Sequence, residues 1–308
     1  MTSAASGKLI LLGEHAVVYG APALVMSIDR GLRADVAEAA DAPGSLSVLD
    51  RRWLLDELSD LPTAARALLN VMEVSTPLDV VVTGSLPPGV GLGFSACAGV
   101  AVARAVNEWR DRPNEENVME AAMAWEGVFH GNPSGVDVAA SINTGCLRFA
   151  KKEGVRPVGA SRGLSLCIGL TGVVSATREM VASVARLRER QPDLVRRNVE
   201  AIASLVENGI GAVEDGRHED LGHLMNYNQM LLAGLMVSSI EIEQLCDTAR
   251  VAGATGAKLS GAGGGGVVAA LSGPQGDVAT ETTAKRILAA WRKLGYDGFE
   301  VHMEVASA

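Results

Sequence analysis

The sequence predicts a mixed α+β protein of two domains, and three observations carry this. Strand-like apolar runs alternate irregularly with paired helical stretches, without the regular strand–helix repeat of a doubly wound sheet. The 308 residues fill about two domains at roughly 150 residues each, and 48% of them are hydrophobic, enough for a sizeable core. The 35 glycines are clustered, and the clusters cut the chain into readable segments.

The elements follow in order. Lys8–Leu12 is a short apolar strand ended by Gly13, and Ala16–Val18 and Ala23–Ile28 read as further strands around the turn Tyr19-Gly20-Ala21-Pro22. Strands are expected at Leu32–Ala37 and Ser45–Leu49, a helix at Thr63–Met72, and a β-branched strand at Leu78–Thr83. A glycine loop then leads into a segment from Ser95 that is small and apolar on all sides. That is the pattern of a helix buried in a core, with Ser95 as its N-cap. A second helix runs from Glu115 to about Phe129 and breaks at His130-Gly131-Asn132-Pro133, and a strand lies near Cys146–Phe149. Charge and glycine rise over Lys151–Gly163, which places the domain boundary there: residues 1–155 form one domain and 156–308 the other. The second half reads as a strand at Leu164–Leu170, helical stretches over 178–207, 218–233 and 239–252, strands at 256–260 and 266–271, a helix over 278–294 and a strand near 299–305.

Composition narrows the function classes. A formal charge of −9 argues against duplex nucleic acid or anionic lipid as a partner, since both need a basic face. The four cysteines, Cys97, Cys146, Cys167 and Cys246, form no CxxC pair, so neither a zinc site nor a disulfide framework is suggested. No apolar run reaches the roughly 18–20 residues that span a bilayer, and the opening MTSAASGKLILLG lacks the pattern of a secretory signal. The expectation is a soluble protein of the reducing cytoplasm.

Four stretches can carry chemistry. In Pro87-Pro88-Gly89-Val90-Gly91-Leu92-Gly93-Phe94-Ser95-Ala96 the glycines let backbone approach a ligand, and the following helix start offers N–H groups to an anion. It is neither a Walker A loop nor a dinucleotide fingerprint, and taken alone it reads better as a tight connection into a buried helix. The run from Lys258 to Gly266 holds Gly261, Gly263 and three more glycines, more than a hairpin needs, so either a ligand or a packed helix approaches its backbone. Glu126 and Asp137 flank the turn HGNPSG; together they are candidates for metal binding or proton handling, and singly they are turn or cap residues. Lys8, and Glu14-His15 after Gly13, would ordinarily be solvent-facing.

Together these stretches resemble the GHMP kinase superfamily and, within it, the mevalonate kinase branch in its compact prokaryotic form. GKLILLGEHAVVYGAPAL is similar to the family's GKxILxGEHxVVxGxPAL, PPGVGLGFSA to PPxxGLGSSA, HGNPSGVD to HGxPSGxD, and KLSGAGGGG to KLTGAGGGG. Thr171–Thr177 and Met225–Gln229 resemble segments near the family's substrate pocket. The resemblance implies ATP-dependent phosphorylation of the C5 hydroxyl of (R)-mevalonate. It also implies an N-terminal ATP-binding domain like ribosomal protein S5 domain 2, a ferredoxin-like C-terminal domain, and an active site in the cleft between them. Lys8 and Asp137 match the family's catalytic pair, and Ser95 and Glu126 its Mg2+ ligands. Residues 87–96 with Gly261 and Gly263 match its nucleotide loops, and Glu14, His15 and Thr177 its substrate-side positions. Such a reaction needs alignment and charge neutralisation more than covalent help. An aspartate is a weak base towards an alcohol, so Asp137 is expected to orient the hydroxyl and accept its proton late.

Four positions depart from the family pattern: Phe94 for a serine, Val138 for an asparagine, Ser175 for an arginine, and Ala98 for a tyrosine found in some members. They touch substrate contacts and nucleotide affinity rather than the reaction. The rival readings are another kinase of the superfamily acting on phosphomevalonate or a different alcohol, a related decarboxylase, and a ligand sensor without turnover. Arginines 178, 186, 188, 190, 196 and 197 would support the first if they faced a phosphate, but acidic residues interrupt them, as on an ordinary solvated helix face. His130, His218, His223 and His302 show no ligand spacing, and Trp53 is a candidate for an adenine-side loop. The oligomeric state, a homodimer among the options, is left open.

Overall fold

The computed structural model describes residues 3–112, 115–131, 133–174 and 177–303. The chain divides into two compact units, neither continuous in sequence: Met1–Lys8, Arg30–Pro88 and Gly93–Asn143 form the first, and Leu9–Asp29, Gly89–Leu92 and Thr144–Ala308 the second.

The first unit takes the opening of strand β1 (Ser3–Leu12) and the later part of β2 (Ala23–Glu38). To these it adds β3 (Gly44–Val48), β4 (Arg51–Leu54), helix α1 (Asp60–Val71) and β5 (Leu78–Gly84). Helices α2 (Phe94–Trp109), α3 (Glu115–His130) and α4 (Val136–Ile142) follow. On β5, Leu78, Val80 and Val82 are buried while Thr83 faces out, the period-2 alternation of a half-covered strand. It runs antiparallel to Leu32–Glu38 of β2 and parallel to β3, which turns into β4 as a hairpin. Helix α2 is buried from Ala96 through Ala103, as its small, uniformly apolar sequence demands. Gly99 makes that fit possible, because a Cβ there would stand 3.0 Å from the Trp125 ring of α3.

In the second unit the start of β2 (Ala23–Met26) pairs with β6 (Cys146–Ala150), and β6 pairs with β7 (Gly154–Val158), a strand within the segment where composition suggests a boundary. Strand β8 (Leu164–Leu170) leads to α5 (Thr177–Arg190), α6 (Pro192–Glu214), α7 (His218–Gly234) and α8 (Ile240–Ala252). Strands β9 (Gly256–Ser260) and β10 (Val267–Pro274), helix α9 (Val278–Lys293) and β11 (Gly298–His302) complete the chain. A four-stranded antiparallel sheet has the order β11-β8-β10-β9. Leu245, Ile287 and Trp291 from α8 and α9 join Leu259 and Val268 of the sheet in one core, where the Trp291 indole donates to the Leu245 carbonyl at 2.9 Å. Helix α7 meets β9 backbone to backbone, since a Cβ on Gly256 would fall 2.6 Å from the Gly222 Cα. None of the described helices is long and apolar enough to cross a membrane.

Several local expectations are corrected. Ala16–Val18 is not a strand but part of a 3-10 turn, Ala16–Tyr19, closed by Val17 N–H to Gly13 O and Val18 N–H to His15 O. Glycines at φ +112 (Gly13) and +91 (Gly20) bracket it, leaving too few residues to extend. The expected break between Ala23–Ile28 and Leu32–Ala37 is absent, because Gly31 continues β2 with its α-hydrogens against the Ala5 backbone. The 178–207 stretch is two helices, interrupted at Gln191 because Pro192 starts a new helix better than it continues an old one. The short β4 went unpredicted: its Trp53 is half-buried and carries the Arg51 guanidinium 5.3 Å from the ring centroid. Asn132 and Ser175 lie outside the described residues.

If the α7–β9 approach is as tight as the glycines indicate, Gly256→Ala should destabilise the protein by about 1–3 kcal/mol through overpacking. Gly159→Ala, with open space around it, should stay within about 0.5 kcal/mol of the parent. Urea midpoints of the two variants check this.

Candidate active site

A lysine in an apolar strand must find an anion or lose its charge. Lys8, on β1, is 3% exposed, and its Nζ lies 3.0 Å from Asp137 Oδ1. The aspartate sits in the first turn of α4, where a carboxylate complements the helix dipole, and its side chain is 35% exposed. Gly135, at φ +85, precedes the helix as its N-cap. Gly93, at φ +77, lets the glycine loop lie on the lysine stem, since a Cβ there would meet Lys8 Cγ at 2.9 Å. The solvent reading of Lys8 therefore fails for a packing reason.

Beside this pair are Ser95 and Glu126. Ser95 is not the N-cap of α2; Gly93 is, and Ser95 lies inside the first turn. Its Oγ accepts a hydrogen bond from the Trp125 indole at 3.2 Å. Glu126 is 3% exposed, its Oε2 stands 3.6 Å from His130 Nε2, and its buried Oε1 has no hydrogen-bond partner among the described residues. Burial first, then the Asp137 charge, push the Glu126 carboxyl above its usual range, while the Ser95 hydroxyl, His130 and Lys8 pull it back. A buried carboxylate oxygen without a donor, next to a serine hydroxyl, is a donor set that fits a hard divalent cation and is costly without one. His130, assigned no role from spacing, thus faces Glu126 one helical turn away.

A second cluster is built wholly within the other unit. Glu14 is 1% exposed, with Oε1 bonded to Lys258 Nζ and Oε2 3.3 Å from Asn228 Nδ2. His15 has a positive φ (+59, with ψ −44), and its Nε2 lies 2.8 Å from the Ala262 carbonyl. Burial lowers the His15 pKa, and that hydrogen bond partly offsets the effect. The glycines after Ser260 divide into two kinds. Gly263 and Gly265, at φ +78 and +150, are packed against the carbonyls of Val237 and Val173, where no side chain fits. Gly261 and Gly266 instead lie near the other glycine loop: a Cβ on Gly266 would be 3.4 Å from Val90 O, and one on Gly261 would be 3.9 Å from Gly91 O. The packing reading holds at Gly263 and Gly265, with loop carbonyls rather than a helix as the close neighbours. Phe94 is half-buried, and Val138 and Ala98 are core residues, so two of the departures are absorbed by packing. Thr177 opens α5 and is exposed. The arginines of α5 and α6 named above are solvent-facing, Arg196 pairs with Asp193 and Glu200, and Arg188 stacks 5.0 Å over the Tyr19 ring.

Two family models match the chain: GHMP kinases N terminal domain over residues 61–145 and GHMP kinases C terminal over residues 210–297. The chain belongs to the GHMP kinase family. This GHMP kinase is 35% identical to the mevalonate kinase of Aeropyrum pernix, with 87% of each chain covered. It is 34% identical to the mevalonate kinase of Methanothermobacter thermautotrophicus, covering 91% of this chain and 93% of that one. Among solved structures, L. major mevalonate kinase in complex with R-mevalonate superposes with a TM-score of 0.87 at 28% identity, over 100% of this chain and 97% of that one. The Methanococcus jannaschii mevalonate kinase, at 23% identity and TM-score 0.82, shares the fold. The two-domain α+β kinase fold expected from the motifs is therefore the fold of this enzyme.

The strained, buried His15 gives a pH prediction for this GHMP kinase. Its folded pKa lies below the unfolded value of about 6.5. The unfolded chain therefore binds the proton first, and stability is lost as pH falls from about 6.5 towards the folded pKa. His15→Gln, which keeps a donor for the Ala262 carbonyl, should flatten that slope, read as urea midpoints between pH 7.5 and 5.5.

Proposed function

We propose that this kinase transfers the γ-phosphoryl group of ATP to the C5 hydroxyl of (R)-mevalonate, giving 5-phosphomevalonate for isoprenoid precursor synthesis. The observation that carries the reading is the Lys8–Asp137 pair, with Glu126 and Ser95 beside it. The identity to curated mevalonate kinases over most of the chain supports the choice of alcohol.

In this reading the backbone amides of Gly89–Ser95, with Gly261 and Gly263, hold the triphosphate without adding basic side chains, so a chain of net charge −9 can bind ATP. Ser95 Oγ and the free Glu126 Oε1 would hold Mg2+, which when bound neutralises charge on the phosphate oxygens. Asp137 orients the C5 hydroxyl. The alcohol oxygen forms its bond to phosphorus as the bond to the ADP oxygen breaks, and the hydroxyl proton passes to Asp137 late in that displacement. Lys8 donates towards the same oxygen and offsets its developing negative charge. Glu14, His15 and Thr177 belong to the alcohol side. Lys8 and both carboxylates are all retained, which favours turnover over ligand sensing, since binding alone does not need that set.

An ADP-release screen with Mg2+ should show turnover selective for mevalonate over phosphomevalonate, homoserine and galactose. Asp137→Asn should lower kcat by roughly 10²–10⁴-fold with little change in ATP affinity. Turnover of another alcohol in preference would replace the substrate, and near-normal turnover by Asp137→Asn would remove that residue from the mechanism.

A further inference from the structure

The most deeply buried charges described in this chain are Lys258 and Glu14, each with a fully buried side chain. Lys258 comes from β9, whose five residues are all buried. Its ammonium donates to Glu14 Oε1, to the Leu259 carbonyl at 2.6 Å and to the Ile10 carbonyl at 3.4 Å. The other Glu14 oxygen takes a hydrogen bond from Asn228 of α7, and the neighbouring Gln229 side chain accepts from Leu259 N–H at 2.9 Å. Three parts of the second unit thus converge on one carboxylate: the end of β1, the strand that launches the glycine run, and α7. The residue after Glu14 is His15, held at a positive φ and reaching the glycine run at Ala262.

Apolar residues of similar volume would serve stability as well as a buried ion pair, so the pair calls for a reason beyond stability. Conformational strain at a non-glycine residue persists only where its surroundings over-determine it, and the strained residue here is His15. We propose that Lys258, Glu14 and Asn228 form a buried strut whose task is to set His15 against the Ala262 carbonyl and so shape the alcohol-binding end of the site. Glu14 acts from beneath, as a positioning residue, because its carboxylate is spent on Lys258 and Asn228. Lys258 and Asn228 are positioning residues of the same kind. The role given to His15 rests on the mevalonate kinase reading, whereas the strut itself does not.

The test separates fold, position and chemistry. Lys258→Met should lower Tm sharply, because it strands a buried carboxylate, and adding Glu14→Gln should restore most of the loss. In that double variant the KM for mevalonate should remain raised, on the order of 10- to 100-fold, with the KM for ATP within about twofold. The 15N signals of the His15 ring should show Nε2 protonated in the parent, as the bond to the Ala262 carbonyl requires, and a mixture of tautomers in the variant. Asn228→Ala, a milder lesion, should move both readouts the same way and decides the matter if the double variant fails to fold. A folded double variant, or Asn228→Ala, with parental mevalonate KM and an unchanged His15 tautomer would overturn the strut. Failure of the parent enzyme to use mevalonate would sink the substrate reading instead, and the His15 signals would still report on Lys258.

Discussion

An ammonium group cannot be taken out of water alone, and much of this molecule follows from two lysines that have been. Lys8 enters the interior on the first strand, so an anion must meet it, and Asp137 does so from the start of a short helix. That requirement dictates the sequence beside Asp137 as well as in a loop far along the chain from Lys8. Gly93 must lack a side chain because the lysine stem runs under it, and Gly135 must turn the chain so that α4 begins with its acid in the first turn. Asp137 keeps part of its surface open while Lys8 keeps almost none.

The second buried lysine is of another kind. Lys258 has no exposed surface, and its partner Glu14 has almost none, so that carboxylate, unlike the one on Asp137, has no open face. The contrast separates chemistry from scaffolding more sharply than residue type does. Glu126 falls between them: buried like Glu14, yet with one oxygen that has no hydrogen-bond partner among the described residues.

What could be read from the sequence depended on how local the determining force was. The α+β class, β8, the buried character of α2 and the C-terminal strand–helix order were legible because apolar periodicity and β-branched runs are local signals. Lys8, Asp137, Glu126 and Ser95 were legible as a set through the motifs that hold them, and the structure brings the four together. The turn at Ala16–Tyr19 was misread because three apolar residues fit a strand as well as a 3-10 turn until the flanking glycines' φ values are known. Ser95 looked like a cap because serines often are, but Gly93, in the left-handed region, takes that place. The indole donor from Trp125 and the Lys258–Glu14–Asn228 network lay beyond local reading, since their partners stand 30 to 244 positions apart. A lysine in the middle of the short strand GAKLS was the one available sign.

The two units also interlock along the chain, because residues 9–29 and 89–92 belong to the unit that is otherwise built from position 144 onward. No single cut yields either unit whole. During synthesis the first unit has all its parts once residue 143 has left the ribosome, yet the stretch carrying Glu14 and His15 meets Lys258 and Ala262 only after most of the remaining chain has followed. A truncated product would leave that apolar stretch uncovered. For such a molecule, quality control and evolutionary recombination both have to treat the polypeptide as indivisible.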